Sequence, residues 1–360
     1  MSLAPLTAFQ RTLVAAGIRA PSGDNCQPWR FRFTGTDQIL IDIHPEQAES
    51  FFDYHHGPTF LSVGAVVENI RIQAAALGYA AEVAYPGGVG PGHPSAVITL
   101  HPDSQISCPS TRLQALHRRT VNRRPFLPWA LAPRDIEHLT AEPILGTKVH
   151  LIQEWQAMGR WTRLIYLADR IRLSHPQIHT ELFAKILFQS DAARGVRVGL
   201  ETNRLGLGPG AEPILQFLKP WSRIQQLSRW GLLHLLAGQS QWLAQMSGGL
   251  VLVTIPTSTP EYWMRAGEQT QRLWIRAEEL GLAVHPMTVA LYLDQRYQEE
   301  GLRQFLPAHA PLLGELTRTL TELLDGQRAA MLFRIGKALP MREPASRMAI
   351  EDFLPPAESP

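Results

Sequence analysis

The chain predicts an α+β fold laid out as two successive blocks, and three observations carry that expectation. Apolar residues recur at helical spacing through Val63, Val66, Val67, Ile70, Ala74 and Leu77 before Gly78 stops the run. Short apolar runs such as Gly249-Leu250-Val251-Leu252-Val253-Thr254-Ile255 read as buried strands. Both blocks follow the order helix, polar loop, strand, helix, although no sequence repeat is evident.

In the first block, Leu6 to Ile18 reads as a short helix and Ile39 to Ile43 as a strand. The long periodic helix follows. Tyr85 to Pro94 is rich in Gly and Pro and reads as a loop, and Ala96 to Leu100 as a second strand. Pro102 to Pro109 suits a linker. The second block opens with a short helix, Ser110 to His117, then a strand at Lys148 to Gln153. Trp155 to Gln245 is mostly helical, broken at Pro176, at Gly206 to Gly210 and at Pro220. After the buried strand, Ala266, Thr270, Leu273, Ala277 and Leu280 line one face of a helix ending at Gly281. Ala329 to Ile335 reads as the last strand, and the Pro-rich tail from Pro340 to Pro360 as extended.

Composition narrows the function. At 360 residues, 45% apolar and 18% charged, the chain can bury a large core as two domains or one duplicated one. A net charge of +2 offers no field for nucleic acid or an acidic membrane, so anion binding must come from local clusters. Two cysteines, Cys26 and Cys108, make neither a disulfide framework nor a C-x-x-C pair and fit a reducing cytoplasm. Met1 to Ala8 lacks the pattern of a signal peptide, and the most apolar window, Trp230 to Pro256, is interrupted by His234, Gln239, Gln241 and Gln245.

Arg19-Ala20-Pro21-Ser22-Gly23-Asp24-Asn25-Cys26-Gln27-Pro28-Trp29 is the most informative stretch. Small, turn-forming and amide residues are set against a Pro-Trp stop, an order that core packing does not ask for. It suits a loop laying main chain and amides against a flat polar ligand. A second stretch, His117-Arg118-Arg119-Thr120-Val121-Asn122-Arg123-Arg124-Pro125-Phe126, gathers guanidinium forks and a hydroxyl suited to phosphate oxygens. A third, Arg265 to Trp274 continuing to His285-Pro286-Met287-Thr288, is a helix with a small-residue face followed by a turn. In the tail, Pro344-Ala345-Ser346-Arg347 places one more basic residue.

Together these stretches resemble the nitroreductase-like flavoproteins, in which a Ser-x-x-Asn-x-Gln-Pro-Trp loop lies against bound FMN. The resemblance implies FMN contacts from Pro21, Ser22, Gly23, Asn25 and Gln27. It implies a phosphate clamp from Arg118, Arg119 and Thr120, with either Arg123 or Arg124 as the third basic member, because two extra residues precede Phe126. Pro286, Met287 and Thr288 would approach the ring edge, with a main-chain N–H of Met287 or Thr288 at N5, and Arg347 would fold back to the phosphate. The family's Glu-Gly pair in that turn is absent.

Each element occurs once, so the resemblance is closest to the tandem Acg-like nitroreductases and extends to the nitroreductase half of ThiF-fused proteins. It implies a nitroreductase-like half over 1–109 and a second over 110–360, packed as an internal pseudo-dimer around one FMN, hence a monomer. The implied activity is an NAD(P)H-driven two-step flavin cycle on a nitro, quinone or enone type of small molecule. An FMN-sequestering protein or a pathway-specific flavin dehydrogenase remains the alternative. No catalytic acid or base is assigned, and no metal is expected: His55-His56 lacks partners at ligand spacing. The Gly-rich runs 87–92 and 206–210 lack the P-loop ending, and Gly-x-Ser-x-Gly is absent. Cys26 reads as a packed thiol, Trp221, Trp230 and Trp242 as core anchors, and residues 155–247 as a lid.

Overall fold

The computed structural model describes residues 6–208, 210–341 and 344–355. Two four-stranded antiparallel sheets form its frame. The first contains β1 (Trp29–Thr34), β2 (Gln38–Ile43), β3 (Tyr79–Ala84) and β4 (Ala96–Pro102) in the order β1-β2-β4-β3. The second contains β5 (Lys148–Ile152), β8 (Gly249–Ile255), β9 (Ala283–Pro286) and β10 (Arg328–Gly336) in the order β5-β8-β10-β9. Between β5 and β8 in sequence lie two short parallel segments, β6 (Ile186–Leu187) and β7 (Leu200–Glu201). Each large sheet thus has the same order, first strand, second, last, third. In each, one long helix joins the second strand to the third: Gly57–Ala76 in the first and Pro260–Glu279 in the second.

These two helices cross at the centre. A Cβ on Gly64 would overlap the Met264 carbonyl, and a Cβ on Gly267 would overlap the Leu61 carbonyl. The contacts are reciprocal: exchanging 61 and 64 with 264 and 267 leaves the pattern unchanged, as at a two-fold interface. Only a residue without a side chain permits this backbone approach. Around it, Glu68 accepts two hydrogen bonds from Arg272 (2.8 and 3.0 Å), Gln271 donates to Asn69 (2.7 Å), and Arg71 donates to Glu268 (3.1 Å). Glu268 also accepts from the Tyr85 hydroxyl. Burial, reinforced by Glu68, raises the Glu268 carboxyl to about 7.

The second sheet carries what the first lacks. Between β5 and β8 the chain inserts the helices Trp155–Ser174, Pro176–Lys185, Gln189–Ala193, Ala211–Leu218, Trp221–Ser228 and Leu232–Gln245. Between β9 and β10 it inserts Val289–Glu300 and Ala310–Leu324. The breaks at Pro176 and Pro220 fall where proline opens or precedes a helix; Pro209 of the 206–210 break lies outside the described residues.

Two expectations are corrected. Trp230 and Trp242 are not core anchors: they are 88% and 55% exposed, because the insertion is too thin to cover both faces of its helices. The tail is not extended throughout. Ile350–Phe353 forms a 3-10 turn, and Phe353 is fully buried, stacked on Trp29 and edge-on to Phe31. Residues 342–343 and 356–360 of the tail, like 1–5 at the start, lie outside the described residues. Apolar patterning alone passes over β1, β3 and β9, although Trp29, Phe31 and their alternating arginines give β1 the period of two. Among the described residues no helix is long and apolar enough to cross a membrane.

Candidate functional site

The loop after the first helix (Ala8–Gly17) is built under strain. Asp24, Asn25 and Gln27 all have left-handed backbone angles (φ 48°, 56° and 52°). Asp and Asn tolerate that region through their short polar side chains; Gln does not, and each such residue costs roughly 1–3 kcal/mol unless its surroundings enforce it. The surroundings do. The Gln27 amide N–H donates to the Ser22 hydroxyl (2.9 Å), and the Gln27 carboxamide accepts from the Met348 N–H (3.1 Å) and donates to the Arg197 carbonyl (2.9 Å). Asn25 donates to the carbonyls of Arg197 and Ser346 (both 3.2 Å). The loop is therefore clasped by the insertion on one side and the tail on the other.

Arg347 is the centre of that clasp. Its guanidinium donates to Ile18 O (2.6 Å), Ala20 O (2.9 Å), Arg19 O (3.2 Å) and Asn25 Oδ1 (2.8 Å). The carbonyls of the C-cap residue Ile18 and of the two residues after it are thus satisfied by a cation, which also suits the helix dipole. Burial, and then Arg119, Arg19 and Arg204, push its pKa well down. Arg119 is equally enclosed: it donates to Arg19 O (2.8 Å), lies 4.6 Å over the Trp274 ring, and leaves its Nε buried without a partner. Burial and then Arg19 lower Arg119 to about 9. Arg19, Arg119, Arg204 and Arg347 thus converge from four separate segments. Among the described residues the carboxylates near them are Glu201, held by Arg204 (2.7 Å) and the Ser346 N–H (3.0 Å), and Glu278, ion-paired with Arg118 (3.5 Å). Among these described residues arginines outnumber carboxylates, and an orphan donor, the Arg119 Nε, sits within the cluster. That combination fits an anionic group such as a phosphate.

The remaining predicted residues divide. Pro21, Ser22, Asn25 and Gln27 are half-buried or buried, and Gly23 is exposed. Arg118 is exposed and ion-paired with Glu278 (3.5 Å). Thr120 is half-buried beside Arg119. Asn122, fully in the interior, pins the segment by donating its backbone N–H to Val284 O (3.0 Å) and its carboxamide to Leu339 O (2.8 Å). Arg123 turns inward, its pKa lowered by burial, and donates to Arg204 O (3.1 Å); Arg124 turns outward and donates to Pro340 O (3.0 Å). Pro286 is the last residue of β9, paired with Phe333 of β10, Met287 and Thr288 follow it, and all three are half-buried. Of the two main-chain N–H groups in this turn, that of Met287 donates to Leu332 O (2.8 Å), because β10 runs alongside.

Sequence reading gave no role to Arg19 or His285, although both stand in the stretches it singled out, and it missed Glu201, Arg204 and Arg334. Arg334 lies within a strand and is fully buried, donating to His285 Nδ1 (3.1 Å), Leu243 O (2.9 Å) and Arg124 O (3.0 Å) above the Phe126 ring. Burial and then Arg334 hold His285 neutral, far below its usual pKa. A charged residue inside an apolar run, Met331 to Ile335, was the available signal. The Cys26 thiol is pushed up to about 12 by burial, as befits a packed and unreactive sulfur. Among the described residues no cluster of three or more His, Cys, Asp or Glu side chains is arranged for a metal ion.

Known proteins offer distant likenesses. No family model matches the chain. It is 29% identical over 334 residues to an uncharacterized protein of Mycobacterium tuberculosis, a match covering 90% of this chain and 45% of that one. It is 28% identical over 137 residues to a proposed NAD(P)H nitroreductase of the same species, covering 38% of this chain and 39% of the relative. The chain therefore spans less than half the length of the relatives it matches. The FMN-dependent nitroreductase of Mycobacterium smegmatis, solved with NADPH, overlays on 67% of this chain and 96% of its own at 13% identity, with a TM-score of 0.36, too low to assign the fold by itself.

Proposed function

We propose that the protein is an FMN-dependent oxidoreductase of nitroreductase type, with two fused halves, 1–109 and 110–360, forming one composite flavin site per chain. The observation that carries this reading is the convergence of Arg19, Arg119, Arg204 and Arg347 beside the strained Ser22–Gln27 loop, with the Arg119 Nε left unpaired. Similarity to a nitroreductase-named relative supports it. The identical strand order of the two sheets and the reciprocal glycine crossing support the pseudo-dimer, and with it a monomer.

In this reading Arg119 holds the phosphate, with Thr120 beside it and Arg123 as the inward member of the later pair. Arg347 positions the loop rather than touching the phosphate, since its fork is consumed by main-chain carbonyls. Pro21, Ser22, Gly23, Asn25 and Gln27 present the loop to the ring, and Pro286 and Thr288 the opposite edge. FMN held there would supply the two-electron chemistry that links NAD(P)H to an electrophilic nitro, quinone or enone compound. The chain's own contribution is orientation, a positive field, and exclusion of water by the insertion. The carboxamides of Asn25 and Gln27 must exchange the Arg197 carbonyl for ligand acceptors, so movement near residues 194–199 gates entry.

That same clasp favours one rival, a flavin-sequestering protein with little turnover. Anaerobic mixing of the FMN-loaded protein with NADPH separates the two. Rapid bleaching of the flavin absorbance is expected; a flavin that stays oxidised while tightly bound would leave sequestration as the function.

A further inference from the structure

The insertion encloses a cavity of ≈ 250 Å³ that takes no part in the arginine cluster. Its walls come from five of the inserted helices and β6, and they are hydrocarbon almost throughout: Ile178, Leu182, Phe183, Leu215 and Ile224 are typical. The two exceptions are Arg172 and His179, and both are committed. Arg172 is ion-paired with Asp169 (Nε 3.0 Å, Nη2 2.9 Å), and His179 Nε2 bonds to the Lys219 carbonyl (2.9 Å). The mouth is marked by Leu207 and Ile214, which line the cavity yet are 49% and 60% exposed.

We propose that this cavity binds an uncharged apolar molecule the size of a fused two-ring aromatic. An apolar cavity of about 150 Å³ stays dry and takes benzene; the larger volume here takes the next ring. With Arg172 and His179 engaged as above and the described lining otherwise hydrocarbon, the site offers little to stabilise water or a charged group, so shape and apolar burial select the ligand. Two large apolar side chains left in solvent at the opening give such a ligand a continuous path inward. The site stands independently of the flavin reading.

Naphthalene and 2-naphthoate are the probes, titrated against the full chain by calorimetry and by naphthalene fluorescence. Naphthalene is expected to bind saturably at one per chain, and 2-naphthoate at least about tenfold more weakly. Leu215→Trp fills the cavity and is expected to weaken naphthalene by at least about tenfold while keeping or raising the melting temperature. If Leu215→Trp does not fold, Ile214→Trp at the exposed mouth carries the same test, with the same loss expected. Non-saturable partitioning, equal affinity for the two probes, or unchanged affinity in a folded filled variant would overturn the proposal.

Discussion

The crossing of the two long helices and the clasped loop are opposite solutions to holding a chain together. At the crossing, the two long helices contribute alike: Gly64 meets Met264 and Gly267 meets Leu61, with Glu68–Arg272 and Asn69–Gln271 alongside. At the loop, nothing is repeated. Residues 22–27, the Arg197 carbonyl and the 346–348 tail meet once, and the strain of three left-handed residues is held by side chains distant in sequence. The repeated part is a frame with no room for variation, while the unrepeated additions carry the charge excess and the orphan donor. Position in the frame, rather than the frame itself, is what makes the candidate site.

The comparison breaks first if the crossing tolerates a side chain. Gly64→Val should cost more than about 4 kcal/mol, because the added carbons meet helix backbone that cannot yield. Soluble yield and a thermal melt read this directly, and a variant that folds with a near-normal melting temperature would dissolve the reciprocal frame. The loop is expected to be softer. Arg347→Ala should cost about 2–3 kcal/mol, the loss of several charge-assisted bonds offset by relief of repulsion among the arginines. Limited proteolysis should then open the chain near residues 19–27 before the sheets; uniform destabilisation would show that the clasp is not local.

A pH effect sharpens the contrast within the frame. Burial holds the Glu268 carboxyl at about 7, above its unfolded value, so the folded state keeps a proton that the unfolded state has released. Its contribution is full below about pH 4.5 and is lost as pH rises toward 7, a difference on the order of 1–3 kcal/mol. His309 acts oppositely: burial lowers it to about 4, so stability is lost as pH falls from about 6.5. Glu268→Gln should therefore remove the decline on the alkaline side while leaving the acid side intact. Melts of both proteins at pH 5 and 8 decide it, since parallel profiles would mean Glu268 is ionised throughout. The smallest effect is a gain. Gly314 sits inside Ala310–Leu324 with open space where a Cβ would go, so Gly314→Ala should add roughly 0.4–1 kcal/mol, and any loss would deny that space.

Much of this was legible in the residues. The strand 249–255, the helix reaching Ala76 and the helix closing at Glu279 follow from uninterrupted apolar runs or 3.6-residue periodicity, which burial enforces on a sheet centre or a helix face. The loop around Asn25 was legible because turn residues crowd where no core needs them. Arg19, Arg204 and Arg334 were not, because a lone arginine in sequence carries no mark of the carbonyls or rings it will meet. The exposure of Trp230 escaped for the same reason: a tryptophan's fate depends on what covers the insertion, not on its neighbours in the chain.

The central claim is that Arg119 and its neighbours hold the phosphate of one FMN per chain, and paired titrations of FMN and riboflavin against the native protein and Arg119→Ala test it most directly. The account predicts that the native protein saturates at one FMN and binds it more tightly than riboflavin. It also predicts that Arg119→Ala loses about 1.5–3 kcal/mol of FMN affinity with little change for riboflavin. Equal losses for both ligands, or a native protein that does not distinguish them, would contradict it.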